Sequence, residues 1–425
     1  MLKKYFFVLV VFLFLAPPAP AQFKIERVPN DFGYDIPKKF TLYTSTHFNR
    51  VEALYLNLGV KFKPRPEAKT GLASGFMLYG DAGYGFKNEK KKRPRWTAGL
   101  QKDFQLPGRL TLGAEYFNEV ETNDRWIVSE FENSLAGIFH HEDFMDFYGR
   151  KGGRGFLDYQ LADVHTLRAE VSSHRYEKLR RNSNWSLFGG GKIYPANPRP
   201  FQSQGFDVVE GDELSIKLTS AFDWRDNPVF PNVGWLAEGY FERTGPDFPS
   251  VIGSRKVGET NGLFLIFKRY QPTLSDQKLV AKLMFGSRSG SFAYQHLLTL
   301  GGLSSLRAYR EKEFAGNRLL FANVNYVIGQ SAFGGLLRKL PLRYLPLWET
   351  ISLGVFAETG YAWLADRNNP DLGLLDLGHF DLGDLRSDVG FSLLVTEGIL
   401  RVDFAKRTDR GHDDWRVTFR ILDKF

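Results

Sequence analysis

The last residues of the chain show the pattern that governs the rest. Trp415, Val417, Phe419 and Ile421 alternate with Arg416, Thr418 and Arg420. Upstream, Leu400, Val402 and Phe404 alternate with Arg401 and Asp403, and Val389, Phe391 and Leu393 with Asp388, Gly390 and Ser392. Successive side chains of a strand point to opposite faces, so each segment has one apolar face and one polar face. The same alternation runs through Leu54, Leu56, Leu58, Val60 and Phe62, and again through Leu214, Ile216 and Leu218. It predicts sixteen strands, at 51–63, 74–86, 94–103, 109–118, 154–160, 165–176, 213–224, 234–243, 261–270, 277–286, 291–299, 317–327, 350–362, 386–395, 399–405 and 413–425.

Two architectures carry such strands. In water the charged face lies outside; in a membrane barrel the apolar face meets lipid and the charged face lines the lumen. An even strand count, strands of about ten residues, and gaps that alternate short and long fit the barrel. Gln105–Gly108, Ala162-Asp163 and Thr396–Gly398 are short, whereas Glu119–Gly153 and Lys178–Gly211 are long. Trp126 to His141 in the first long gap has room for a short helix, and the second is rich in Gly and Pro. The expected fold is an all-β, transmembrane antiparallel β-barrel of about sixteen strands.

Composition narrows the choice further. There are 38 Phe, 18 Tyr and 8 Trp, yet the mean hydropathy is −0.29. A barrel hides its lipid face in alternate residues while aromatics gather at the interfaces, which reconciles the two numbers. Lys3-Lys4, the apolar run Tyr5–Leu15 and Ala19-Pro20-Ala21 read as a signal peptide over 1–21. Residues 22–49 then form a short periplasmic segment and 50–425 the barrel. The absence of cysteine excludes disulfides and thiolate sites. Removing Lys3 and Lys4 lowers the net charge from +8 to +6, too mild and scattered for nucleic acid.

Candidate chemistry is sparse. Gly189-Gly190-Gly191 and Gly301-Gly302 lack the strand-then-helix setting of a phosphate loop. His140-His141 beside Glu142 has no metal-ligand spacing. No catalytic, cofactor or metal site is expected. One stretch stands apart: Leu298 to Arg318, LTLGGLSSLRAYREKEFAGNR, is too long for a hairpin turn between strands.

Four stretches resemble the BamA-like superfamily, the bacterial surface antigen barrels of outer-membrane assembly factors and two-partner secretion transporters. They are FDWRDNPVFPNVG (Phe222–Gly234), Gly301–Arg318, VFAETG (Val355–Gly360) and the final hairpin ending at Phe425. The resemblance covers mainly residues 222–425 and implies several roles. Asp223, Arg225, Asp226, Pro231 and Gly234 form a strand-end motif. Gly301–Arg318 is a loop folded into the lumen after strand eleven, where the strand count also places it. Its motif is Arg307-Ala308-Tyr309, with Ala308 where the family has Gly. Glu358 stands where the family more often has Asp, and strand parity turns it inward, so Arg307 is expected to pair with it through two parallel bonds. Phe425 ends the C-terminal assembly signal.

The family's periplasmic repeats find no room between Gln22 and Asn49. The expected function is outer-membrane biogenesis, or passage of protein or lipid across the bacterial outer membrane, without a chemical reaction. A barrel enzyme of lipase or protease type, or a plugged pore, is the alternative. Expected partners are outer-membrane lipid and lipopolysaccharide, the barrel assembly machinery for the chain's own insertion, and a separate periplasmic protein.

Overall fold

The computed structural model describes residues 39–64, 74–88, 94–199, 207–245, 257–274, 276–291, 293–329, 332, 351–365, 372–378, 380–395, 398–409 and 415–421. Sixteen strands form one antiparallel sheet in which each pairs with its neighbour along the chain. The first eight are β1 (Phe40–Asn49), β2 (Ala53–Phe62), β3 (Phe76–Gly85), β4 (Pro94–Leu106), β5 (Gly108–Glu121), β6 (Tyr148–Leu161), β7 (His165–Lys178) and β8 (Gly211–Asp223). The rest are β9 (Gly234–Thr244), β10 (Thr260–Pro272), β11 (Gln277–Gly290), β14 (Arg318–Ile328), β15 (Ile351–Trp363), β16 (Arg386–Val395), β17 (Leu400–Arg407) and β18 (Arg416–Ile421). Two short strands, β12 (Leu298–Leu300) and β13 (Phe314–Gly316), pair in a separate ladder.

The burial pattern is inverted relative to a soluble protein. Leu54, Leu56 and Leu58 on β2 are 42%, 47% and 63% exposed, while Glu358, Asp388 and Asp403 are at most 2% exposed. Burying a charge without partners is prohibitive, so the inner face must be a connected polar network. The outer face is the apolar band of a membrane barrel. Among the described residues no ladder joins β1 to β18.

The sixteen observed wall strands differ from the sixteen expected at two places that cancel in the count. Residues 40–49, expected in a periplasmic segment over 22–49, form β1, in continuous register with β2 from Phe40↔Phe62 to Asn49↔Ala53. Residues 291–299 are not a wall strand: Leu298 to Leu300 belong to the small inner hairpin. β6 begins at Tyr148 rather than residue 154, because Gly149, Gly152 and Gly153 continue the ladder with β5. The signal peptide and Phe425 lie outside the described residues.

Because the sheet is a simple meander, connections after odd-numbered wall strands share one end of the barrel. The three longest are there: 122–147, 179–210 and 291–317. The first contains helix α1 (Glu130–Leu135), started by Ser129, whose side chain accepts from Glu132 N–H at 3.1 Å. A π turn, Ala136–His140, follows and ends at His141 with φ +57°.

Candidate functional site

The Leu298–Arg318 loop folds inward. Leu298, Leu300, Leu306 and Tyr309 pack with Phe264, Met284, Leu319, Phe321 and Ala362 from the inner faces of β10, β11, β14 and β15. The turn that presents Arg307 takes its left-handed geometry at Leu306 (φ +48°), not at Ala308. The missing glycine of the motif therefore costs no backbone strain at Ala308. Leu306 bears that strain, and its fully buried side chain offsets it.

Arg307 is the centre of the site and is 4% exposed. Its Nε lies 3.2 Å from Glu358 Oε1, and its backbone N–H donates to Glu358 Oε2 at 2.8 Å. The remaining guanidinium nitrogens diverge. Nη2 donates to Asn325 at 2.9 Å and Nη1 to Asp403 at 3.2 Å. The guanidinium also lies 3.9 Å over the Phe356 ring. The expected two-bond fork on Glu358 is therefore replaced by a spread over β14, β15 and β17. Its cause is visible: Glu358 is already engaged by the Arg307 backbone and by Asn323 Nδ2 at 2.7 Å.

Neighbouring groups complete the cradle. Ala308 N–H donates to Asp388 at 2.7 Å, and Tyr309 OH donates to Ser387 O at 3.2 Å. Arg407 sits 4.1 Å over the Tyr309 ring. Asp403 also accepts from Ser392 at 2.5 Å and from Arg401 Nε at 2.8 Å. Asn325, Asp388 and Asp403 were missed as loop partners, although their parity already turned Asp388 and Asp403 to the polar face.

The strand-end motif lies between β8 and β9, at the end opposite the long loops. Asp223 takes a fork from Arg225, 2.7 Å on each side. Asp226 accepts from Asn232 and Val233 N–H at 2.9 and 3.1 Å, closing the turn. Gly234 has φ +124°, and a side chain there would collide with the Trp224 carbonyl. Pro231 O accepts from Lys278 at 2.8 Å.

A second buried network caps the loop end. Arg50, fully buried between β1 and β2, contacts Asp143 at 3.0 Å and bonds Asp146 and the Met145 carbonyl. Lys312 of the inward loop contacts Asp124 at 2.5 Å and also Asp146, which Tyr294 bonds too. Burial alone would raise Asp146, but Lys312 and then Arg50 outweigh it and hold its carboxyl below the usual range. For Asp124 burial dominates and the carboxyl is raised. Loop sequences have no period, so nothing in the chain pointed to this cap.

Behind it lies a cavity of about 480 Å³, whose lining includes Glu121, Arg150, Lys217, Glu238, Glu242 and Arg288. Ser172 and His174 also meet an acid near this wall: Ser172 Oγ is 3.3 Å from His174 Nδ1, and His174 Nε2 is 3.8 Å from Glu213. All three are buried, Arg150 shares the Nδ1 side at 3.4 Å, and Glu213 is already bonded by His296 at 2.7 Å and Tyr176 at 3.3 Å. This arrangement is a structural network rather than a poised nucleophile. Among the described residues no cluster of three or more His, Asp or Glu could hold a metal.

A sheet of this strand number, with an apolar outside, a charged inside and a long loop seated within, defines an outer-membrane type of β-barrel with an obstructed lumen. Residues 148–422 match the Omp85 superfamily domain, and the chain belongs to that superfamily. Residues 32–225 also match the C-terminal domain of a family of unknown function, DUF5686. No curated protein matches the chain. Among solved structures, BamA from Haemophilus ducreyi lacking POTRA domains 1-3 aligns over 90% of this chain and 69% of its own, with TM-score 0.54 and 14% identity. CdiB from Escherichia coli aligns over 89% of this chain and 61% of its own, with TM-score 0.38 and 12% identity. Omp85 barrels serve outer-membrane protein assembly or translocation.

Proposed function

We propose that this protein is an outer-membrane barrel for assembly or translocation, kept closed at rest by its inward loop. The observation that carries the reading is the seating of Arg307 among Glu358, Asn325 and Asp403. A loop tied by charge to three wall strands obstructs one side of the lumen and is released as a unit when that contact breaks. Outer-membrane lipid and lipopolysaccharide surround the apolar band, the barrel assembly machinery inserts the chain, and a separate periplasmic protein supplies substrate selection. The Asp223–Gly234 turn fixes the periplasmic rim, and Phe425 closes the assembly signal. Depletion in the native cell tests the reading: the set of proteins in the outer membrane or released across it should change. An unchanged set defeats it. In planar bilayers the intact chain should conduct little, and removal of residues 303–316 should give a steady open channel.

Failure of a serine-directed fluorophosphonate to label the purified protein is expected from the buried Ser172 network. Labelling that Ser172→Ala abolishes would favour the enzyme reading.

A further inference from the structure

The two edges of the sheet, β1 and β18, are bridged by the β5–β6 loop. Glu132 of α1 accepts from the Ile421 backbone N–H at 2.8 Å and from Arg420 Nε at 2.8 Å. Two residues on, Ser134 Oγ accepts from the Phe48 backbone N–H at 2.9 Å. One turn of helix thus satisfies edge N–H groups of both β1 and β18, groups that a closed barrel would satisfy by pairing the strands. Arg420 is tied in further, to Ser304 at 2.7 Å and the Ile127 carbonyl at 3.0 Å.

The same loop also reaches the outside of the wall. Phe40 and Leu42 mark the lipid face of β1, at 62% and 73% exposed, and strand parity puts Phe48 on that face. Yet Phe48 is only 4% exposed. Its cover is Gly137 of the π turn, close enough that a Cβ there would lie 2.8 Å from the Phe48 ring, together with Ile138, Tyr194 and the edge of Trp185. The β7–β8 loop is laced to this turn: Tyr194 OH donates to Gly137 O at 2.6 Å and Leu187 N–H to Ile138 O at 2.7 Å. The surface so formed exposes Phe139 (39%), Trp185 (55%), Leu187 (54%), Phe188 (62%) and Ile193 (69%). These values match those of the lipid-facing strand residues, and a Lys192–Glu142 pair at 3.1 Å belongs to its polar part. A contiguous apolar patch of this kind is not kept in water without a partner.

We propose that α1 is a stopper in the barrel wall: it fills the seam between β1 and β18, and the π turn with residues 184–194 lies outside, against lipid acyl chains. Among the described residues the wall is closed there by side-chain bonds rather than by a ladder. The lipid occupant follows from continuity with the apolar face of β1.

The cysteine-free chain permits a direct test. Phe139→Cys and Phe188→Cys, each carrying a small fluorophore, are compared with Leu56→Cys on the lipid face and Glu238→Cys in the lumen. In vesicles of brominated phosphatidylcholine, labels at 139 and 188 should lose fluorescence to the same extent as at 56, and aqueous iodide should quench only the label at 238. Quenching of 139 and 188 by iodide but not by brominated lipid overturns the proposal. Adding Glu132→Ala with Ser134→Ala should make the label at 188 accessible to iodide. If that double change leaves quenching as it was, α1 does not hold the stopper.

Discussion

Against β10, β11, β14 and β15 the inner wall is covered by the loop's hairpin, and Leu298, Leu300, Leu306 and Tyr309 leave that half packed. Against β5 to β9 the same kind of wall faces a cavity of about 480 Å³ bordered by Glu121, Lys217, Glu238 and Glu242. Both halves are charged, but the charges work differently. In the packed half Arg307, Glu358, Asp388 and Asp403 are out of reach of water and must find every partner within the protein. In the hollow half Glu238 is exposed to the cavity and can be solvated. The lesson is that one loop divides a single lumen into a rigid seat and an adaptable chamber, so equal changes in charge should have unequal effects.

The largest effect is expected at the seat. Arg307→Ala leaves Glu358 buried without its cation and Asp403 with Arg401 alone, at a cost of about 3–5 kcal/mol. Guanidinium unfolding in detergent and tryptic cleavage at Arg310 measure it; unchanged resistance would erase the distinction between the halves. Glu358→Gln keeps an acceptor for the Arg307 N–H and loses the charge, so roughly 1–3 kcal/mol is expected by the same unfolding assay. The cap comes next and has a pH signature. Asp146 titrates below its unfolded value, so its contribution is complete above about pH 3.9 and vanishes as pH falls through the depressed folded value. Asp124, being raised, is not destabilised by mild acid. Limited proteolysis of the 122–147 and 179–210 loops should therefore be unchanged at pH 5 and rise only below about pH 3.9. Asp226→Ala, which frees two turn N–H groups, should cost about 1 kcal/mol without altering conductance. The smallest effect is expected in the chamber: Glu238→Gln should shift unfolding by less than about 0.5 kcal/mol, and its readout is the ion selectivity of the 303–316 deletion channel.

The wall was legible because its code is local: a period of two and a sign for each face. β15 shows this, since Leu353 and Val355 face out and Phe356 and Glu358 face in. β1 was overlooked because Thr41, Thr44, Ser45 and Thr46 blur its contrast. Residues 291–299 misled because Ala293, Tyr294 and Leu297 are buried against Tyr148, Tyr176, Val208 and Val257, and Leu298 in the inner cluster, rather than by lipid. The seat was legible in part. Parity set Glu358 inward, but the divergence of the Arg307 guanidinium depends on three strands meeting in space. The cap was not legible, because Arg50, Asp124, Asp146 and Lys312 come from three loops, with bonded partners as much as 188 residues apart.

The span of the Arg307 contacts bears on the order of assembly. Asn325 is 18 residues away, but Asp403 is 96 residues further along the chain. The loop emerges from synthesis well before the strands that receive it, and closing such wide contacts is entropically slow. Only the Asp403 contact needs β17, so complete seating of Arg307 waits for that strand. A chain truncated before Leu400 would retain most of its wall yet carry an incompletely latched loop, which makes the latch a built-in report that the last strands have arrived.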